Sequence, residues 1–204
     1  MRYSLLRNDM MTKGAILGCV MMLSSIAETY MFYHGGSAWL LPLTFEILIS
    51  MALYVILIYC FTKNYSKLVL AEREQMPFFS FGEGFLYAMN ISGLAGILVA
   101  LGSYLFMHYV IGYEEFTAAY VKFYQDVLSQ VALPSGSVNQ LGELFDQIQK
   151  SEEPSIFSNL LTYVSRYIMT GALVGAVVAL ITKRTPWNNF TNFNNNGNEP
   201  NNEQ

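Results

Sequence analysis

Residues 47–61 read ILISMALYVILIYCF, fifteen positions without a charge, and this run decides what kind of protein the chain is. Extended back to Ala38 it forms a block of apolar sequence interrupted by a single carboxylate, Glu46. A helix needs about 20 such residues to cross the hydrocarbon core of a bilayer, and a soluble core helix rarely has so many. The composition agrees. The chain has 204 residues, 53% of them hydrophobic and 13% charged, with a mean hydropathy of +0.32. A soluble domain carries about 25% charged residues.

Three more blocks of this kind flank the first. They cover about Gly14–Tyr33, Gly82–Ile111 and Ile156–Thr182, with the second block at about Ala38–Phe61. The spacing therefore predicts an all-α polytopic membrane protein, a bundle of four transmembrane helices over residues 14–185. His34-Gly35-Gly36-Ser37 is too short for more than a turn, so the first two helices form an antiparallel hairpin. Arg2, Arg7 and Lys13 before the first block imitate a signal sequence, but Ser25-Ile26-Ala27 is a weak cleavage pattern, and the block is read as a retained helix. Cys19 and Cys60 lie inside apolar blocks without metal-ligand spacing and are read as small packing residues.

The third helix has a local start signal. Ser80 and Glu83 fit a capping box, and Pro77 keeps the preceding chain extended. Phe78, Phe79 and Phe81 are placed as interface anchors. Between helices three and four, Phe116, Tyr120, Phe123, Val127 and Val131 recur at helical spacing. Val138, Leu141, Phe145 and Ile148 repeat the pattern after the break at Pro134-Ser135-Gly136, behind the cap-like pair Ser137 and Gln140. Residues 113–155 are thus expected to form an extracytoplasmic amphipathic helical hairpin, lying on the bundle or the bilayer surface. Nine asparagines between 188 and 202 mark residues 186–204 as a disordered tail.

Basic residues set the orientation. Arg2, Arg7, Lys13, Lys63, Lys67, Arg73, Lys183 and Arg184 fall on one side of this layout, and only Lys122 and Lys150 on the other. The positive-inside rule then puts residues 1–13 and the C-terminal tail in the cytoplasm. With a net charge of −4 and no basic stripe, no nucleic-acid partner is expected. The partner the sequence does name is the lipid bilayer.

The stretch Phe79-Ser80-Phe81-Gly82-Glu83-Gly84-Phe85 resembles a motif of a bacterial membrane family, domain of unknown function 4199. Its members carry a Ser-Phe-Gly-x-small-Phe run, then a Gly-rich helix, an external segment of aromatic and acidic helices, and a last helix ending in basic residues. The order here is similar over roughly residues 10–185, and Tyr113–Gln130 resembles the external segment. Met76-Pro77-Phe78-Phe79 stands where the family suggests a Gly-containing turn. The resemblance implies an inner-membrane location and no particular activity.

Two features are candidates for function. Glu28, Glu46, His108 and Arg166 are ionisable residues inside four different blocks. At 1.5 Å per residue they sit about 7, 12, 5 and 10–15 Å below the predicted outer ends. Each is costly in lipid unless paired or solvated. Two readings stay open: a proton-coupled or ligand-binding site, or a structural cluster with Arg166 paired to Glu46 or Glu28 and the rest snorkelling. Tyr30, Tyr33, Tyr104, Tyr109, Tyr163 and Tyr167, at similar depth, read as an interfacial belt. The second feature is small residues at spacing four: Gly14 and Gly18, Ser92 and Gly96, Gly171 and Gly175. They allow close helix approach, either within the chain or in a homodimer or with another membrane protein. No phosphate-binding loop, nucleophile elbow, metal-ligand pattern or cofactor motif is present. The sequence thus points to a non-enzymatic membrane protein with a structural, scaffolding or accessory role. The alternative is a small transporter or channel-like protein built on the polar cluster.

Overall fold

The computed structural model describes residues 2–35, 37–73, 78–129 and 135–184. The Asn-rich tail, Pro77, Val131 and Pro134 lie outside the described residues, as do the side chains of Ser137, Val138 and Gln140. Among the described residues six α-helices follow one another: α1 Arg2–Gly35, α2 Leu40–Glu72, α3 Phe81–Phe106, α4 Tyr113–Ser129, α5 Ser135–Gln149 and α6 Ile156–Thr182. Four stretches of the described residues are long and apolar enough to cross a membrane: Leu6–Gly35, Leu40–Glu72, Phe81–Ile111 and Ile156–Thr182. The chain is an all-α, multi-pass membrane protein.

Two of these helices outrun the apolar blocks that announce them. α1 starts at Arg2 instead of Gly14, and α2 continues past Phe61 to Glu72. Hydropathy marks only what lies in lipid, whereas a helix continues until something stops it. Residues 2–13 and 62–72 contain neither Gly nor Pro, the two residues that break helices. A 3-10 turn, Ser37–Trp39, then joins α1 to α2.

α3 is the axis of the bundle. It packs along α1 on one side and α6 on the other, while α2 leans on α1 and α6 and barely reaches α3. The small residues explain this order. A Cβ on Gly14 would stand 2.8 Å from Leu94 Cβ, and one on Gly18 would stand 3.0 Å from the Ala95 Cα. On the other face, a Cβ on Gly96 would meet the Val164 Cα at 3.1 Å. On Gly171 it would lie 2.5 Å from Ser92 Cβ, and on Gly175 2.7 Å from Ala88 Cβ. Each small face is therefore filled by a neighbouring helix of the same chain, as close backbone approach in lipid requires.

The helix ends nearest the termini are tied together. Ser80 and Glu83 form the capping box at the start of α3: Ser80 Oγ accepts from the Glu83 N–H at 3.2 Å, and Glu83 Oε2 accepts from the Ser80 N–H at 2.9 Å. Arg73, at the end of α2, pairs with Glu83, donates to the Phe78 carbonyl at 2.9 Å and lies 4.3 Å over the Phe78 ring. Phe79 exchanges two backbone hydrogen bonds with Arg184, just past α6 (3.0 and 2.9 Å). Phe78 and Phe81 are partly exposed, as anchors are, but Phe79 is fully buried against Tyr65 and beneath Gly84. It is a plug, held inward by the Arg184 pairing. Cys19 and Cys60, expected as packing residues, are both exposed on the bundle surface.

At the opposite end α3 loosens into one π-helical turn, Met107–Ile111, and ends on Gly112 at φ 95°. That left-handed backbone is open to glycine at little steric cost, and it turns the chain into α4. α4 lies against the end of α1, where Phe32 inserts among Tyr120, Phe123 and Tyr124, with ring centroids 5.0–6.2 Å away. Burial and a hydrogen bond with Tyr124 push the Tyr120 phenol up to about 12. α5 packs on α4, so the two form the helical cap of the bundle.

Candidate functional site

The four ionisable residues predicted to lie in the outer half of the bundle do not all share one place. Two of the four, Glu28 and Arg166, line a crevice of about 300 Å³ between α1, α2 and α6, and Glu46 stands beside it. Each helix contributes a stripe at spacing i, i+3, i+4, i+7, which is one helix face. α1 gives Met21, Ser24, Ser25 and Glu28; α2 gives Ile47, Ser50, Met51 and Tyr54; α6 gives Tyr163, Arg166, Tyr167 and Thr170. The floor of the crevice is Met21 and Tyr54, both buried, with the Tyr54 hydroxyl donating to Ser92 Oγ at 2.8 Å. Its rim is exposed: Ile47 and Met51 on α2, Arg166 and Thr170 on α6. The opening therefore faces sideways, between α2 and α6.

Glu46 sits behind one wall of the crevice. Its Oε1 accepts a short hydrogen bond from Ser24, and its Oε2 is buried with no hydrogen-bond partner. Glu28 lies within electrostatic reach of both Glu46 and Arg166. Arg166 faces the carboxylates from α6, yet it joins none of the ion pairs among the described residues, which are Arg73–Glu83, His108–Glu153 and Lys150–Asp146. Its guanidinium also makes no hydrogen bond to a described residue; its carbonyl only accepts from Thr170. Arg166 lies ten residues into α6, about 15 Å along the axis, so its head is far from the helix end.

His108 belongs elsewhere. The π-helical turn carries it to the cap end, where Nδ1 lies 2.8 Å from Glu153 Oε1 and the ring stacks on Tyr104 at 5.6 Å. A second, wider hollow of about 880 Å³ opens there, lined by His108 and by Glu114, Glu115, Glu152 and Glu153. Tyr33 donates to Glu115 at 3.2 Å across the same end.

Tyr163 and Tyr167, expected among the interfacial tyrosines, both line the crevice. Tyr30 and Tyr109 stay exposed, as a belt requires. Ser24, Ser25 and Ser50 were legible as polar positions sharing the faces of Glu28 and Tyr54. Ser25 further bridges α1 to α3 through Ser103, Oγ to Oγ 2.9 Å.

The family model "Protein of unknown function (DUF4199)" matches residues 12–184, from within the first span to the last residue of the Phe79–Arg184 pairing. The chain belongs to the DUF4199 family. The matched range covers the last three spans, most of the first, the cap and both polar hollows of this DUF4199 chain. No curated protein and no solved structure matches it significantly.

Proposed function

We propose that this is a non-catalytic accessory protein of the bacterial inner membrane that binds a small polar ligand in the crevice between α1, α2 and α6, with both termini cytoplasmic. One observation carries the reading: Glu28 and Arg166 line one crevice from two helices, with Glu46 of a third beside it, and Arg166 is left without a protein counter-ion among the described residues. An intramembrane guanidinium costs at least about 2.5 kcal/mol unless it is solvated or paired. A purely structural cluster closes on itself, with the arginine on a carboxylate. Here the carboxylate nearest Ser24 is taken by a hydroxyl, and the arginine faces open space.

The shape favours binding over conduction. Below Met21 and Tyr54 the bundle is filled by Leu17, Ile58, Ile91 and Tyr87, all buried. A channel reading would have to open that core. Catalysis is disfavoured at Ser24, although its hydroxyl faces a carboxylate. Ser24 is in mid-helix, where backbone N–H groups are committed to the helix ladder and cannot hold an oxyanion. Orientation rests on the basic residues, which the fold collects at the end where the Arg73–Glu83 and Phe79–Arg184 ties lie.

The test is water access. In a variant carrying Cys19→Ala, Cys60→Ala and Ser50→Cys, a water-soluble maleimide should modify the new thiol in the folded, reconstituted protein. Failure to react under conditions that label an exposed cap cysteine would mean a sealed, dry interior and would end the binding-site reading.

A further inference from the structure

The two walls of the crevice carry opposite kinds of ionisable group, carboxyls on one and a guanidinium on the other, and this limits what can occupy it. Glu28 lines one side on α1, with the Glu46 carboxylate behind it; Arg166 lines the other side on α6. The two walls make no direct ion pair, so the space between them separates the charges. A simple anion bound to Arg166 would be opposed by Glu28. A simple cation bound at Glu28 would be opposed by Arg166. Only a ligand with both charges satisfies both walls, and in a low-dielectric site the unmatched alternative is strongly disfavoured.

Resting on the reading of the crevice as a binding site, we infer that its ligand is a zwitterion with a primary ammonium at one end and a carboxylate or phosphate at the other. The ammonium lies toward Glu28 and offers three donors to carboxylate oxygens. The anionic end takes the guanidinium fork of Arg166, whose planar geometry matches carboxylate or phosphate bidentately. Tyr163 lines the wall between and supplies a neutral hydrogen-bonding group. About 300 Å³ is the space of roughly ten waters at about 30 Å³ each, which suits an amino-acid-sized group and excludes a whole lipid. The sideways mouth between α2 and α6 still admits a lipid headgroup whose chains remain in the bilayer. The same chemistry can thus arrive as a free solute or as an aminophospholipid head.

The experiment uses the full-length Ser50→Cys, Cys19→Ala, Cys60→Ala protein in phosphatidylglycerol nanodiscs and reads the rate of maleimide labelling. The probes are glycine, phosphoethanolamine, and nanodiscs containing phosphatidylethanolamine; inorganic phosphate and ethylamine are the single-charge controls. A zwitterion at about ten times its Kd should slow labelling about tenfold, since only the empty crevice exposes the thiol, and the controls should leave the rate unchanged. Protection by phosphatidylethanolamine alone would identify a headgroup site, and protection by the soluble probes a solute site; either supports the inference. Glu28→Gln or Arg166→Gln should abolish protection while the ligand-free labelling rate, which reports an intact crevice, stays as in the parent. Equal protection by phosphate or by ethylamine would overturn the inference, as would a thiol that labels freely and is protected by no zwitterion. An unreactive thiol would instead overturn the binding site itself, so the two failures are distinct.

Discussion

At the scale of single residues, Phe79 shows how a neighbour decides a side chain's role. It stands between two partly exposed phenylalanines, one residue after Phe78 and two before Phe81, yet it alone is fully buried. The backbone pairing with Arg184 rotates it inward over Tyr65. Phe79→Ala should therefore destabilise the protein by about 3 kcal/mol or more, as large aromatic deletions in packed sites do. Phe78→Ala should cost well under half of that. Unfolding of the detergent-solubilised variants measures both, and comparable losses would contradict the plug. The adjacent capping box was legible in the sequence because its partners are three residues apart. Phe79 was not, since its burial depends on α2 and on a residue more than a hundred positions later. Glu83 lies between these cases: its cap role is local, but its pairing with Arg73 comes from the return of α2 to the same end.

At the scale of helices, the small-residue faces were legible as faces, but not as to partner. Spacing four says that a neighbour comes close; it does not say whether that neighbour is the same chain. The structure fills the faces of Gly14, Gly18, Ser92, Gly96, Gly171 and Gly175 from within, so a homodimer would need another surface. Gly171→Val should force α6 away from Ser92 and Ala88 and cost about 1–3 kcal/mol by overpacking. Gly82→Ala, where nothing lies within 4 Å of an added Cβ, should be neutral or slightly stabilising. Thermal unfolding of the pair separates close packing from a general intolerance of side chains. The cap depends on a different contact. Phe32→Ala removes the ring around which Tyr120, Phe123 and Tyr124 gather. Amide exchange should then quicken across Tyr113–Ser129 while α3 and α6 keep their protection; an unchanged α4 would mean that some other contact holds it.

At the scale of the whole molecule, the sequence gives depth along each helix but not direction around it. Four ionisable residues in the outer half of the bundle looked like one cluster, and the lateral arrangement splits them: Glu28 and Arg166 line the crevice with Glu46 beside it, and His108 sits on Glu153. Hydropathy could place the spans because lipid contact is a property of a segment. It could not place the crevice, because that depends on which face of α2 is left without a partner. Sidedness is a third kind of property, set during insertion by charge and retained by the fold. Eight basic residues flank the spans at one end and two at the other, and the proposal of cytoplasmic termini rests on this bias through the positive-inside rule. In the Cys19→Ala, Cys60→Ala background, an impermeant maleimide applied to intact bacterial cells should label Ser151→Cys, exposed at the cap, and leave Lys67→Cys, exposed near the end of α2, unmodified until the membrane is opened. The reverse pattern would invert the molecule. It would also move the mouth of the crevice, with Glu28 and Arg166, into the cytoplasmic half of the bilayer, so this labelling fixes which leaflet and which solution can supply a ligand.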